Sequence, residues 1–429
     1  MNSGAPARGG LFTYENGVLL LLGLTFGFLF FDRNAASYLA PFIATDLKLN
    51  NTQIGLLGSA LSLTWAISAY AFGAWSDRTG VRKPFLLASV FSFSLCSFLS
   101  GIAQSFEVLL ASRLLMGLAE GLYLPVAMAI MLVVSTERRR GLNMGVMQNL
   151  FSNLLGSFVA PLVLVAIAEQ FNWRISFYIA GIPGLICGLL IWRYVREPAR
   201  IVPSSRADAP SGERHMRLAE MLRVRNVWLC MLISCFMVPW MVLGWAFFPV
   251  FYVNYRHIAP SDMSALMSVL GVSAAVGAFL VPALSDRFGR KPIMIGFSFL
   301  GVLVSLAALY YSGPLPVLGA LIFIGWLASG VFPLFMGTIP AESTSPRYVA
   351  TAMGLIVGVG EIIGGFGGPT LAGWIADRTS LAAPVLMQAG CALAGGLLSL
   401  FLIESAPAKV RRLASARAQG EAVAQPTPD

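Results

Sequence analysis

An all-α polytopic membrane protein, with twelve transmembrane helices in two parallel six-helix repeats, is the fold class this sequence predicts. Three observations predict it: a charge content too low for a soluble chain, twelve apolar runs, and an internal repeat at a nearly constant offset. Of 429 residues, 57% are hydrophobic and only 11% charged, with a mean hydropathy of +0.76. A soluble chain carries about 25% charge, so this one has too few polar groups to cover its own apolar surface. At about 20 residues per span, twelve spans fit and leave room for loops. A soluble enzyme, a nucleic-acid binder and a disordered chain are excluded on the same arithmetic.

The apolar runs fall at 17–44, 52–76, 84–104, 109–134, 141–168 and 175–192, then at 227–254, 263–284, 292–312, 316–338, 348–374 and 381–403. Charged or Gly/Pro-rich turns separate them. Residues 1–195 are expected to form an N-terminal six-helix bundle and 226–404 a C-terminal one. The Arg-rich segment 196–225 reads as a cytoplasmic linker, and 405–429 as a disordered cytoplasmic tail. Met1 to Glu15 lacks the charged start, short apolar core and cleavage site of a signal peptide. The five cysteines lie inside apolar runs without Cys-x-x-Cys spacing, and the two histidines in loops. Free thiols and no metal or cofactor site are expected.

Orientation follows from the basic residues. With the N-terminus inside, the outer loops hold only Lys48, Arg174, Arg256 and Arg378, and the spans hold Arg33 and Arg113. The remaining 23 of 29 Lys and Arg fall on the cytoplasmic side, as the positive-inside rule requires. Both termini are therefore expected in the cytoplasm. The net charge of +9 is a topology signal, and nucleic acid is not an expected partner.

A shift of 208 or 209 residues superimposes Pro41 on Pro249, Asp77-Arg78 on Asp286-Arg287, Gly117 on Gly325, and Pro125 on Pro333. It also superimposes Asn153-Leu-Leu-Gly-Ser-Phe-Val-Ala-Pro161 on Glu361-Ile-Ile-Gly-Gly-Phe-Gly-Gly-Pro369. Parallel repeats of this kind are a transporter architecture, with the substrate site at the repeat interface near the midplane. The loop Gly73-Ala-Trp-Ser-Asp77-Arg78-Thr-Gly80-Val-Arg82-Lys83 is answered by Ser285-Asp286-Arg287-Phe-Gly289-Arg290-Lys291. An Asp at a helix end, a Gly turn and following basic residues suit a charge cluster that holds one conformation closed. Gly73, Asp77, Arg78, Gly80 and Arg82, with Asp286, Arg287, Gly289 and Arg290, are the expected switch residues.

These paired loops resemble the major facilitator superfamily, and the resemblance covers nearly the whole chain. Val81, inserted before Arg82, and Pro282, standing where the first loop has Gly73, depart from the pattern. Within the superfamily the chain looks most like the anion:cation symporters, which move organic anions with protons or sodium. Asp32-Arg33, Arg113-x-x-x-Gly117-x-x-Glu120, Trp173-Arg174-x-x-Phe177-Tyr178 and Trp245-x-x-x-Pro249-x-x-Tyr252 carry that likeness. Multidrug antiporters usually carry Gly-x-x-x-Gly-Pro-x-x-Gly-Gly in span five. Here the stretch reads Gly156-Ser-Phe-Val-Ala160-Pro161-Leu-Val-Leu-Val, which weakens drug efflux, the alternative transport reading.

Five ionisable residues lie inside predicted spans: Asp32, Arg33, Arg113, Glu120 and Glu361. Each costs roughly 2.5–3.5 kcal/mol at a helix centre and needs a partner or a wet cavity. Burial and a nearby cation move a carboxyl's proton affinity in opposite directions, so an acid beside an arginine can load and release a proton. The resemblance implies that role for Asp32 and Glu120. Arg33 is the candidate for the substrate carboxylate, because its planar fork matches carboxylate geometry. Arg113, about 10 Å from Glu120 along one helix, is assigned to coupling or structure. Glu361 is assigned as a second protonatable or substrate-hydroxyl group.

Gln148, Asn149, Ser152 and Asn153 share one face of span five and offer ligands for hydroxyl or carboxylate oxygens. Trp65, Trp240 and Tyr252 are candidates for an aromatic cavity wall. The expected activity is proton-coupled symport of a small organic anion by alternating access. The partners are that anion, a proton or sodium, and the lipid bilayer of a bacterial inner membrane, with the protein a monomer. An intramembrane enzyme would need a nucleophile–base set or metal ligands at helical spacing, and a sensor a sizeable soluble domain. Neither is visible.

Overall fold

The computed structural model describes residues 13–197, 224–345, 348–407 and 409. Among these, eleven helices are long and apolar enough to cross a membrane. They are α1 (Tyr14–Tyr38), α3 (Lys83–Gly101), α4 (Phe106–Val134), α5 (Arg140–Gln170), α6 (Trp173–Tyr194) and α7 (Arg225–Tyr255), and further α8 (Pro260–Phe288), α9 (Arg290–Tyr310), α10 (Leu315–Ser343), α11 (Thr351–Arg378) and α12 (Ala382–Ser399). The continuous helix α2 (Asn51–Thr79) stands where the second span is expected. No strand occurs among the described residues. The expected linker lies outside the description except at its two ends, and so does most of the expected tail.

The helix ends have local causes. Thr13, Ser105 and Asn172 each accept a backbone N–H from the third residue on, capping α1, α4 and α6. A short helix, Ala40–Asp46, follows α1. Gly289, at φ +101°, ends α8, a conformation that a side chain would strain. Large apolar side chains such as Leu95, Leu189 and Phe279 remain exposed, as lipid-facing residues of a membrane bundle do.

The chain divides into two compact units, Met1–Lys48 with Ala60–Ala209, and Leu49–Ser59 with Pro210–Asp429. In the first unit Val18, Leu22 and Phe26 of α1 pack with Leu86, Val90 and Phe93 of α3 and with Tyr123 and Val126 of α4. Tyr123 donates its hydroxyl to the Leu22 carbonyl at 2.7 Å. The second unit is built around Trp240, which stacks on Trp326 at 4.7 Å and donates its indole N–H to the Gly301 carbonyl at 3.1 Å. The start of α2 belongs to this unit, where the Asp377 carboxylate accepts the backbone N–H groups of Asn51 and Thr52 at 2.7 and 2.9 Å.

Two segments of α5 wind as π-helix, Val146–Leu150 and Ser152–Val159. In α11 the same winding covers Glu361–Gly367, the place the 208-residue shift assigns to the second of them. π-Turns displace backbone carbonyls from their usual partners and gather at functional positions. In α5 the Gly156 carbonyl is taken up instead by Asn34 at 3.1 Å and Tyr38 at 3.0 Å. A Cβ on Gly156 would stand 2.5 Å from Phe30 Cβ, so glycine is what lets α1 approach.

Candidate functional site

Of the four ionisable residues within the spans of the first unit, Arg33 and Glu120 form an ion pair, and Arg113 is the opposite charge acting on Asp32. Arg33 does not pair with its neighbour Asp32. Its Nη1 lies 3.4 Å from Glu120 Oε2, joining α1 to α4. The Glu120 side chain is fully buried, whereas that of Arg33 keeps 19% exposure. Phe30 and Trp65 flank the guanidinium at 5.6 and 5.3 Å. Glu120 Oε1 makes no hydrogen bond among the described residues.

Asp32 is buried on the other side of α1, where Arg113 is the opposite charge acting on it. Ser97 Oγ of α3 lies 2.7 Å from Asp32 Oδ1 and 2.8 Å from the Phe177 carbonyl oxygen. Its single proton serves one acceptor at a time. An ionised Asp32 accepts the hydrogen bond from Ser97; a protonated Asp32 can donate to Ser97 Oγ, whose own O–H then points to the Phe177 carbonyl. Asp32 Oδ2 has no hydrogen-bond partner among the described residues. Arg113 is almost wholly buried, lies over the Phe177 ring at 5.1 Å, and donates from Nη2 to Ser100 at 2.5 Å.

The polar face of α5 lies in the π-wound stretch and its flank. Gln148, Asn149 and Asn153 are half-buried, and Ser152 is buried. Asn149 donates to the Gly145 carbonyl at 3.3 Å and Asn153 to that of Asn149 at 2.8 Å. Glu361, half-buried, opens the π-turn of α11. Trp65 is half-buried beside Arg33. Trp240 and Tyr252 are fully buried, Trp240 against Trp326 and Tyr252 against Phe248 and Phe251. Helix packing, rather than an open wall, is where the structure places these two.

The loop motifs divide in the same way. In the second unit Arg290 binds Asp286 at 2.5 Å and Glu342 at 2.9 Å. The turn residue Gly289 leaves room for Glu404 Oε2, which would stand 2.5 Å from an added Cβ. Arg287 rests on the Phe288 ring at 5.4 Å instead of joining the cluster. In the first unit Gly80 has φ +66°, and Arg82 donates to Ser76 Oγ at 3.1 Å. The side chains of Asp77 and Arg78, and the surroundings of Gly73, lie outside the described residues.

Sequence reasoning missed two sets of residues. Ser97 and Ser100 hold Asp32 and Arg113, and their spacing with Ser94 on one face of α3 was the available signal. Glu197 accepts the backbone N–H groups of Arg82 and Lys83, and Glu404 those of Arg290 and Lys291. The two acids sit 207 residues apart and serve the first turns of α3 and α9, where helix N–H groups lack partners.

The profile of the Major Facilitator Superfamily matches residues 22–256 and again 241–427. The chain belongs to this superfamily. It is similar to the probable 4-methylmuconolactone transporter of Cupriavidus pinatubonensis (strain JMP 134 / LMG 1197), with 29% identity over 78% of each chain. With the hexuronate transporter of Bacillus subtilis (strain 168) it shares 28% identity over 87% of its own length and 90% of the relative's. Among solved structures, an inward-facing, unoccupied bacterial homolog of the human lysosomal transporter Spinster superimposes with a TM-score of 0.77. That match has 20% identity and covers 93% and 98% of the two chains, and it shows the fold. The superfamily member described here is thus a multi-pass membrane transporter and not an enzyme.

Proposed function

We propose that the transporter carries a small organic anion together with a proton by alternating access. The observation that carries this reading is the unequal burial of the two arginines. Arg113 is locked against Phe177 and Ser100. Arg33 is partly exposed and held by one long contact to Glu120, so an incoming carboxylate has only that contact to replace. Trp65 and Phe30 flank the guanidinium at 5.3 and 5.6 Å. The half-buried amides of Gln148, Asn149 and Asn153 are proposed to bind the anion's remaining oxygens.

Coupling follows from charge balance. Asp32, Arg33, Arg113 and Glu120 sum to zero when all are ionised. Adding one carboxylate leaves a net buried charge of −1, which is costly at low dielectric. A proton on Glu120, freed from Arg33, restores neutrality. Asp32 is the second acceptor, and Ser97 reorients its own proton when Asp32 changes state. One proton per carboxylate is the resulting stoichiometry. The names of relatives such as the hexuronate transporter and the 3-(3-hydroxy-phenyl)propionate transporter of Escherichia coli (strain K12) support the substrate class.

The test is uptake into proteoliposomes of a panel of hexuronates, aromatic carboxylates and diacids, with and without an inward proton gradient. Accumulation of at least one acid driven by the gradient is expected. Gradient-insensitive uptake, or movement of a cationic dye with no acid transported, would overturn the reading.

A further inference from the structure

A groove of about 520 Å³ opens in the first unit between the start of α1 and the end of α6. Its walls are Val18, Leu20, Leu21, Leu24 and Leu190. At its mouth stand Tyr14, Arg193, Tyr194 and Arg196. Arg196 donates its backbone N–H to the Tyr14 hydroxyl at 2.9 Å, and its guanidinium lies 5.5 Å over the Tyr14 ring. Arg193 lies 5.5 Å over the Tyr194 ring.

Neither guanidinium forms an ion pair among the described residues. The acids nearby in sequence are engaged elsewhere. Glu15 accepts from Asn143 at 2.6 Å, and Glu197 caps the start of α3. A third cation, Lys83, donates to the Trp192 carbonyl at 2.7 Å. The surrounding side chains Tyr14, Trp192 and Tyr194 are exposed, as aromatic residues of a membrane interface are. Two cationic forks without an ion pair among the described residues, opening on a leucine-lined groove, combine the two halves of one ligand's chemistry.

We infer that this groove binds an anionic phospholipid, its phosphate on Arg193 and Arg196 and an acyl chain along Leu20, Leu24 and Leu190. Planar guanidinium forks match phosphate oxygens bidentately, and basic pockets between transmembrane helices take anionic head groups. The internal repeat supplies a control. The 207-residue shift that relates Glu197 to Glu404 places Leu400 and Ile403 opposite Arg193 and Arg196. Both are exposed and apolar, so the site belongs to the first half alone. On the orientation expected from the basic-residue bias, the lipid comes from the cytoplasmic leaflet.

The experiment is native mass spectrometry of the purified full-length protein, titrated with phosphatidylglycerol or with phosphatidylcholine of the same acyl chains. Wild type is expected to retain one phosphatidylglycerol with about tenfold preference. Arg193→Gln with Arg196→Gln should abolish the preference, and the paired Arg→Lys variant should keep most of it. Leu20→Trp, which fills the groove and leaves both arginines, should reduce retention of either lipid. Inorganic phosphate should not displace the bound lipid. An unchanged preference in the Gln variant, displacement by inorganic phosphate, or undiminished retention in Leu20→Trp would overturn the inference. The Leu20→Trp arm decides the matter if the Gln variant fails to fold.

Discussion

Replacing Glu120 with Gln separates binding of the anion from its accumulation. In the wild type an incoming carboxylate competes with Glu120 for Arg33. At the observed 3.4 Å and an effective dielectric of 20, that attraction is about 5 kcal/mol before desolvation. The net worth of a hydrogen bond to a charged group is smaller, about 1.5–3 kcal/mol. Removing the competitor therefore tightens anion binding by about 10- to 100-fold at high pH, at about 1.4 kcal/mol per decade.

The pH dependence changes with it. If one proton enters with each carboxylate, wild-type affinity falls about tenfold per pH unit once that proton is no longer already bound. Glu120→Gln has a neutral, non-titrating side chain there and should bind with little pH dependence. Counterflow exchange, which needs binding and reorientation but no net proton movement, should survive, and gradient-driven accumulation should be lost. The assay is a pair of proteoliposome measurements with the best-transported acid of the panel, one under counterflow and one under an imposed proton gradient. Accumulation persisting in Glu120→Gln would refute the coupling argument. So would loss of counterflow in a variant whose thermal unfolding matches wild type.

Arg33→Lys keeps the charge and loses the fork; KM for the acid should rise by about tenfold or more, read from initial uptake rates. Ser97→Ala strips Asp32 of its hydrogen bond and should cost about 1–3 kcal/mol of stability, seen as a lower unfolding temperature in detergent, with the pH profile of uptake displaced. Gly289→Ala forces a side chain onto a φ of +101° beside Glu404; it should lower the unfolding temperature by more than Gly296→Ala, where an added Cβ meets nothing within 4 Å. Outside the spans, the hydrogen bond from Arg174 holds the Asp46 carboxyl below its ordinary 3.8. A depressed carboxyl contributes stability above about pH 4 that is lost as pH falls through its folded value. Asp46→Asn should therefore flatten the acid limb of a stability-versus-pH curve, and an unchanged limb would dismiss that contact as an acid-sensitive one.

The spans, their order and the repeat were legible because hydropathy and period are local properties of the chain. Asp32 and Glu120 were legible for the same reason, as charges where none belong. Their pairing was not. Asp32 and Arg33 are adjacent in sequence, but successive residues on a helix point about 100° apart. Asp32 therefore turns to Ser97 and Arg33 to Glu120. Trp240 and Tyr252 show the converse limit. An aromatic residue in a span has the same sequence signature whether it packs or lines a cavity, and only the neighbours Trp326 and Phe248 decide. The π-turns at Ser152–Val159 and Glu361–Gly367 left a trace in the repeat itself, since this is where the two halves match best.

The second unit shows what the charges of the first are not for. At the 208-residue shift Trp240 stands for Asp32, Ala328 for Glu120 and Ser305 for Ser97. The Trp240 indole is fully buried and donates to the Gly301 carbonyl at 3.1 Å. Gln388 bridges Ser305 and the Trp240 carbonyl, each at 2.8 Å. The same scaffold thus closes its core with an apolar ring and a satisfied amide. Replacing a buried ion pair by well-packed apolar groups is often neutral or stabilising, so stability alone gives no reason to keep four charges in the first unit. Arg33 only partly covered and Glu120 bound through a single oxygen are the features on which the proposed exchange of partners rests.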